Sequence, residues 1–332
     1  MTAIPSAPAH AAAASASRAL DAAAGRGSTA AGAPADAPAT IYAQAADENF
    51  PVASWVLPRA VRADLMAVYG FARLTDDIGD ESPGDRAATL DWLEGELERA
   101  GRGAATHPVL RRLSTTIAAR GLSLEPFRDL IEANRQDQRV SRYETFEDLV
   151  GYCRLSANPV GRIVLAVLGR STPERVSLSD DVCTGLQVVE HLQDVGEDAG
   201  QGRIYLPLAD LRAEGCDETA LRAPGASPAL RRVIATEAAR ARRLLRSGAP
   251  LAATLPWRER VAVAAFAAGG LAALDAVEAA NFDVLAHRCR PRPANVLARL
   301  ALLLATPTSA PRTPTSAPRT LGRSSTPGGG SR

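Results

Sequence analysis

Residues 61–81 read VRADLMAVYGFARLTDDIGDE. Leu65, Val68, Phe71, Leu74 and Ile78 recur at three- and four-residue steps, so Val61 to Asp80 is expected to form a helix with one apolar stripe. At about 100° per residue, Tyr69, Arg73, Asp76 and Asp80 fall within about 60° of one another on the opposite side, and Asp77 lies about 80° from Tyr69. Two carboxylates stacked at i and i+4 repel by a few tenths of a kcal/mol. A bound cation offsets that cost. Oxygen-only ligands suit Mg²⁺, which keeps several waters and binds through one or two carboxylates plus substrate phosphates.

A second acidic stretch, Gln193-Asp194-Val195-Gly196-Glu197-Asp198, repeats the pattern 118 residues further on. On a continuous helix from Ser179 to Asp198, Gln187, Asp194 and Asp198 share a face within about 40°. Gly202-Arg203-Ile204-Tyr205-Leu206-Pro207 follows and must leave the helix at its Gly and Pro. Arg203 and Arg73 each offer a rigid fork for phosphate oxygens. A single Asp-x-x-x-Asp is usually a solvated helix face. Two of them, each beside an arginine and a tyrosine within otherwise apolar helices, point to a diphosphate–metal site if the fold brings them to one cavity.

The rest of the chain supports a helical frame. Helical spacing recurs in Ala87 to Ala100, Val109 to Arg120, Pro126 to Gln138, Phe146 to Ala157, Pro159 to Leu168, Leu230 to Ser247, Trp257 to Ala280 and Ala294 to Ala305. Pro/Gly breakers such as Ser82-Pro83-Gly84, Thr172-Pro173 and Gly200 to Gly202 separate them, and no two-residue alternation is long enough for a sheet. The expected architecture is all-α, a single domain of about ten helices. Residues 1–44, rich in Ala and Pro, and residues 306–332, where TPTSAPR occurs twice in tandem, are expected to be disordered, leaving 45–305 as the folded unit.

Composition narrows the chemistry. The 332 residues carry 38 basic and 37 acidic side chains, a net charge of +1 that gives no support to nucleic-acid binding. Every basic residue is Arg; without Lys there is no Schiff-base or phosphate-loop lysine. Cys153, Cys183, Cys216 and Cys289 are widely spaced, which argues against a zinc or redox pair and suits a reducing cytoplasm. No secretory signal is visible, and the 14-residue apolar run Val261 to Leu274 fits a buried helix better than a membrane span. The expected location is cytoplasmic, with peripheral contact at the inner face of the membrane as a lesser reading of the arginine series Arg231 to Arg246.

Several long motifs then occur in order: Glu48-Asn49-Phe50-Pro51-Val52-Ala53-Ser54, Tyr69-Gly70-Phe71-Ala72-Arg73 running into Asp76-Asp77-Ile78-Gly79-Asp80-Glu81, Tyr152-Cys153-Arg154-Leu155-Ser156-Ala157-Asn158-Pro159-Val160-Gly161, and the Gln193–Asp198 and Gly202–Pro207 segments. From Glu48 to Ala305 the chain resembles the squalene/phytoene synthases of the isoprenoid synthase fold, and within them most resembles the hydroxysqualene synthase branch of bacterial hopanoid biosynthesis. The resemblance implies that Asp76, Asp80, Asp194 and Asp198 hold Mg²⁺. It implies that Arg73, Gln187, Arg203 and Tyr205 contact or orient the diphosphate. Tyr69 joins the candidate catalytic set, Asp77 the candidate metal ligands, and Asn49 the candidate diphosphate contacts, an N-cap role for Asn49 being equally open.

Two departures stand out. Many relatives have Asn where this chain has Glu190, a carboxylate that either adds a ligand for metal or water or repels diphosphate. The reductive squalene synthases carry a catalytic tyrosine where this chain has Leu155, which favours quenching of a cation by water over hydride transfer. The implied reaction turns presqualene diphosphate and water into hydroxysqualene and diphosphate. The alternatives are head-to-head condensation of two farnesyl or geranylgeranyl diphosphates, and a non-catalytic helical protein that binds other squalene-pathway enzymes.

Overall fold

The computed structural model describes residues 56–80 and 84–305. The expected terminal segments 1–44 and 306–332, the motif containing Asn49, and Glu81 lie outside the described residues. Helix α1, Arg59–Asp80, buries the predicted stripe of Leu65, Val68, Phe71, Leu74 and Ile78. It packs on α2 (Arg86–Gly101), α3 (Pro108–Arg120) and α4 (Glu125–Asp137). Phe71 meets Phe127 of α4 edge to face at 5.2 Å between ring centres, a favoured aromatic geometry in the middle of this first apolar cluster.

The second cluster is built by α5 (Phe146–Ser156), α7 (Pro173–Gln193), α10 (Pro228–Gly248) and α12 (Trp257–Ala279). Helix α6 (Asn158–Val167) joins the two, and α13 (Pro293–Ala305) lies along α12. Short helices α8 (Val195–Gly200), α9 (Leu208–Ala213) and α11 (Pro250–Ala253) and a 3₁₀ turn, Glu218–Arg222, complete the bundle. The ten helices of ten residues or more correspond one for one to the ten expected segments. Among the described residues there is no strand, only an isolated parallel bridge between Arg142 and Ile204. The all-α architecture is as expected.

Several expected breakers act as caps. Thr172 accepts from the Arg175 amide at 3.3 Å with Pro173 at the first helical position, so α7 begins at Pro173, six residues before the start read from periodicity. Thr145 and Asp148 form a reciprocal capping box that starts α5. Helix α12 is the one described helix long and apolar enough to cross a membrane. Ten of its residues, including Leu271, Leu274 and Val277, are buried in the protein core.

Candidate active site

Asp76 and Asp80 project from the last turn and a half of α1 into a cavity of about 890 Å³. Gly79 between them allows α4 to come close: a Cβ there would sit 1.9 Å from Asn134 Oδ1. The contact places the Asn134 amide 3.4 Å from Asp76 Oδ1, and Gln138 donates to the Gly79 carbonyl at 2.9 Å. Asp137, at the end of α4, also lines the cavity and accepts the Tyr152 hydroxyl at 2.8 Å. Arg86, from the start of α2, lines it too and donates to the Asp80 carbonyl at 2.7 Å.

The second acidic pair enters the same cavity by another route. The expected continuous helix from Ser179 to Asp198 is interrupted: α7 stops at Gln193, Asp194 turns with φ −109° and ψ 9°, and α8 begins at Val195. Gly196 directly follows, the kind of residue at which helices bend. Two i to i−4 bonds still run through the break, Asp194 N–H to Glu190 at 3.1 Å and Asp198 N–H to Asp194 at 2.8 Å, so Gln187, Glu190, Asp194, Glu197 and Asp198 all reach the cavity.

Helix α8 ends in a closure that Gly202 makes feasible, at φ +86°. Its N–H donates to Ala199 and that of Arg203 to Asp198, at 3.1 and 2.8 Å, the paired bonds of a Schellman motif. Arg203 is thereby aimed back across the cavity, and its Nη2 lies 2.8 Å from Asp80 Oδ1. Burial works against this cation, but the adjacent Asp80 carboxylate holds its pKa above the ordinary guanidinium range. The two acidic pairs, 118 residues apart, therefore face one cavity and are tied across it by an ion pair.

Tyr205 lines the same wall and stacks on His191 at 3.7 Å between ring centres, 11° from parallel, with Tyr143 and Tyr152 alongside. Burial, reinforced by Asp137 nearby, pushes the Tyr152 and Tyr205 phenols well above their usual range, so both remain O–H donors at neutral pH. Arg73 is buried and paired with Asp77 at 2.6 Å on its own helix. Tyr69, Arg73 and Asp77 are not among the described residues that line the cavity. Asn134, Asp137, Arg86, Tyr152, His191 and Glu197 do line it, without having been singled out as site residues from the sequence. Only Tyr152, Glu197 and His191 carried any signal, the first two inside quoted motifs and the third beside the second acidic pair.

Carboxylates predominate among the donors that line the cavity, a hard-oxygen environment that fits Mg²⁺. Among the described residues no three His, Cys, Asp or Glu side chains close on one point as a ready-made cage. That spacing matches an ion whose shell is completed by water and substrate phosphate, with Asp76, Asp80, Asp194 and Asp198 the residues that would hold it.

Residues 43–295 match the squalene/phytoene synthase family. The chain belongs to that family. It is 41% identical over 211 residues to a hydroxysqualene synthase of Rhodopseudomonas palustris, covering 63% of this chain and 72% of that one. A hydroxysqualene synthase of Sinorhizobium fredii is 39% identical, covering 62% and 70%. Among solved structures, the squalene synthase HpnC of Alicyclobacillus acidocaldarius superposes with a TM-score of 0.70 at 46% identity, over 73% of this chain and 92% of that one. A dehydrosqualene synthase solved with a ligand gives 0.73 at 26% identity, over 80% and 95%. Squalene/phytoene synthase family membership makes this chain an isoprenoid synthase, and one cavity gathers both of its acidic pairs.

Proposed function

We propose that the protein converts presqualene diphosphate and water to hydroxysqualene and diphosphate in the presence of Mg²⁺. The observation that carries the reading is the Arg203–Asp80 bridge, which joins the two acidic pairs at the polar end of a cavity whose other end is lined by Val160, Val164, Leu165 and Phe266. The names of the relatives that share 41% and 39% of residues support the same choice. A cavity of about 890 Å³ lies toward the upper end of the roughly 300–1,000 Å³ typical of small-molecule sites, as a long isoprenoid requires.

The chemistry follows from that polarity. Mg²⁺, when bound, supplies charge stabilisation for the departing diphosphate. Arg203 and Arg86 add fixed positive charge at the same end, where negative charge develops as the C–O bond breaks and its electron pair leaves with diphosphate. Gln187 and the Tyr205 hydroxyl orient the leaving group. Apolar side chains of α6 and α12 shield the cation from bulk water. Tyr69, Arg73 and Asp77 would serve from behind the wall, the Arg73–Asp77 pair fixing the turn that carries Asp76 and Asp80. Asn49 would approach from outside the described residues.

The test is to incubate the purified protein and Mg²⁺ with presqualene diphosphate or farnesyl diphosphate, with and without NADPH, and to identify the lipid. Hydroxysqualene from presqualene diphosphate without NADPH is expected. Consumption of farnesyl diphosphate alone overturns the reading in favour of head-to-head condensation, the alternative supported by a phytoene synthase of Arthrospira platensis that is 36% identical over 49% of this chain.

We propose a different element for the membrane contact. On α10, Arg231, Arg232, Arg240 and Arg242, four of the six arginines in the series, are paired with Asp283, Glu214, Asp210 and Asp275, which offsets most of its positive charge. Helix α13 buries none of its residues, and Leu297, Leu302 and the nearby Trp257 are 65%, 62% and 65% exposed. The sequence after it holds four Arg and no acidic residue. An apolar face next to cationic chain fits an anionic lipid surface. Sedimentation with anionic but not zwitterionic vesicles is expected, with loss of binding in a Leu297→Glu/Leu302→Glu variant. Concentration-dependent dimerisation lost in the same variant, without vesicle binding, would assign the face to a second copy of the chain.

A further inference from the structure

One wall of the cavity runs from polar to apolar in four-residue steps: Tyr152 and Ser156 at the end of α5, then Val160 and Val164 on α6. The Tyr152 hydroxyl is committed to Asp137 at 2.8 Å. One turn further in, the Ser156 Oγ is buried and has no hydrogen-bond partner. A helical serine ordinarily bonds back to the carbonyl four residues earlier or turns to solvent, and Ser156 does neither. Neighbouring polar side chains are occupied with one another. Thr184 bonds Asn158 at 2.9 Å, and Ser179 bonds the Cys183 thiol. Ser156 lines the boundary between the carboxylate end and the hydrocarbon end with its unsatisfied Oγ covered, and rotation about χ1 is what turns the hydroxyl to a cavity water. A buried polar atom in that condition calls for a ligand or an ordered water.

We propose that Ser156 holds the water that quenches the carbocation. The inference rests on the hydroxysqualene reading above and gives it a residue. The cation forms where the diphosphate departs, next to the carboxylates, and its hydrocarbon arms lie toward Val160 and Val164. Ser156 is at that junction, and a single hydroxyl can hold one water by one hydrogen bond while the apolar wall excludes others. As the C–O bond to diphosphate breaks, the electron pair leaves with diphosphate. The water oxygen then forms the new C–O bond, and the proton it loses passes to the released diphosphate. Ser156 ends unchanged, as a water-positioning residue.

The experiment uses the full chain with Mg²⁺ and presqualene diphosphate in ¹⁸O-labelled water, following diphosphate release and lipid products separately. The unaltered protein is expected to put one ¹⁸O into hydroxysqualene. Ser156→Ala and Ser156→Val are expected to release diphosphate within about threefold of the unaltered rate. In both, the share of hydroxysqualene should fall about five- to tenfold, the size of one lost hydrogen bond, in favour of hydrocarbons formed by proton loss. Ser156→Thr, which keeps the hydroxyl, should restore the alcohol.

An unchanged product ratio in the Ala and Val variants overturns the proposal. So does a parallel loss of diphosphate release and hydroxysqualene with no change in their ratio, the signature of a purely structural role. Unlabelled hydroxyl oxygen overturns it as well. Failure of the unaltered protein to make hydroxysqualene, despite releasing diphosphate, is a separate result: it sinks the functional reading itself.

Discussion

Asp76 and Asp80 ride one uninterrupted helix of 22 residues, whereas Asp194 and Asp198 straddle a break between α7 and α8. Both pairs have the same four-residue spacing and both reach the same cavity. The first is held from outside by α4, which Gly79 admits to close contact. The second is held from within its own chain, by hydrogen bonds through Asp194 and by the closure at Gly202 that turns Arg203 back toward Asp80. One wall thus depends on helix packing and the other on a local backbone motif, and substitutions should separate the two.

The largest effect tests what the walls share. Asp76→Ala and Asp194→Ala should each lower Mg²⁺-dependent diphosphate release by roughly a thousandfold or more, because each removes a carboxylate that would hold the Mg²⁺ stabilising the departing diphosphate. Far-UV circular dichroism should stay helical, since both side chains face the cavity and not the apolar core. Substantial turnover by one variant and not the other would show that only one acidic pair works on the diphosphate.

Next in size is the packing of the first wall. Gly79→Ala puts a Cβ 1.9 Å from Asn134 Oδ1, so either the buried Asn134 side chain must move aside or α1 and α4 must separate. Overpacking of this kind costs about 1–3 kcal/mol. Thermal or urea unfolding should register it, along with lower activity as Asp76 and Asp80 move. Combining it with Asn134→Ala removes the obstructing oxygen and should recover most of the stability. No recovery would mean that the close approach of α4 is not what positions this pair.

These two walls also mark where the sequence was readable. Asp76, Asp80 and the buried stripe beneath them were legible because a straight helix converts spacing into faces by geometry alone. Asp194 and Asp198 were legible as a pair. The break between them was not, because the apolar and acidic spacing runs on through Asp194 as it does in a continuous helix. Asn134 and Asp137 carried no local signal either; only the docking of α4 on Gly79 brings them to the cavity. Thr172-Pro173 was visible but read as a breaker, since a cap and a break share the same residues until the helix after them is seen.

The local motif of the second wall gives a smaller effect. Gly202 sits at φ +86°, where a side chain costs about 1 kcal/mol. Gly202→Ala should lower stability by about that amount without touching the core. Its kinetic signature should be a raised KM for the diphosphate substrate, because the strain falls on the turn that aims Arg203. A change in kcat alone, with KM intact, would detach Arg203 from substrate binding.

The smallest expected effect concerns Glu190, a further acidic residue of this second wall. Glu190 lines the cavity, and its Oε2 lies 3.3 Å from the Gln187 amide. Glu190→Gln keeps the shape and removes the charge. If the carboxylate helps to hold the cation, half-saturation by Mg²⁺ should rise about three- to fivefold, corresponding to an interaction of roughly 1 kcal/mol between partly solvated charges. If it instead repels the substrate, the KM for the diphosphate should fall while the Mg²⁺ dependence stays put. Charge repulsion acts on both ladders alike, but only the second has this third carboxylate one turn before Asp194. The metal titration therefore asks whether the irregular wall carries the larger share of the cation's binding, as its extra acid implies.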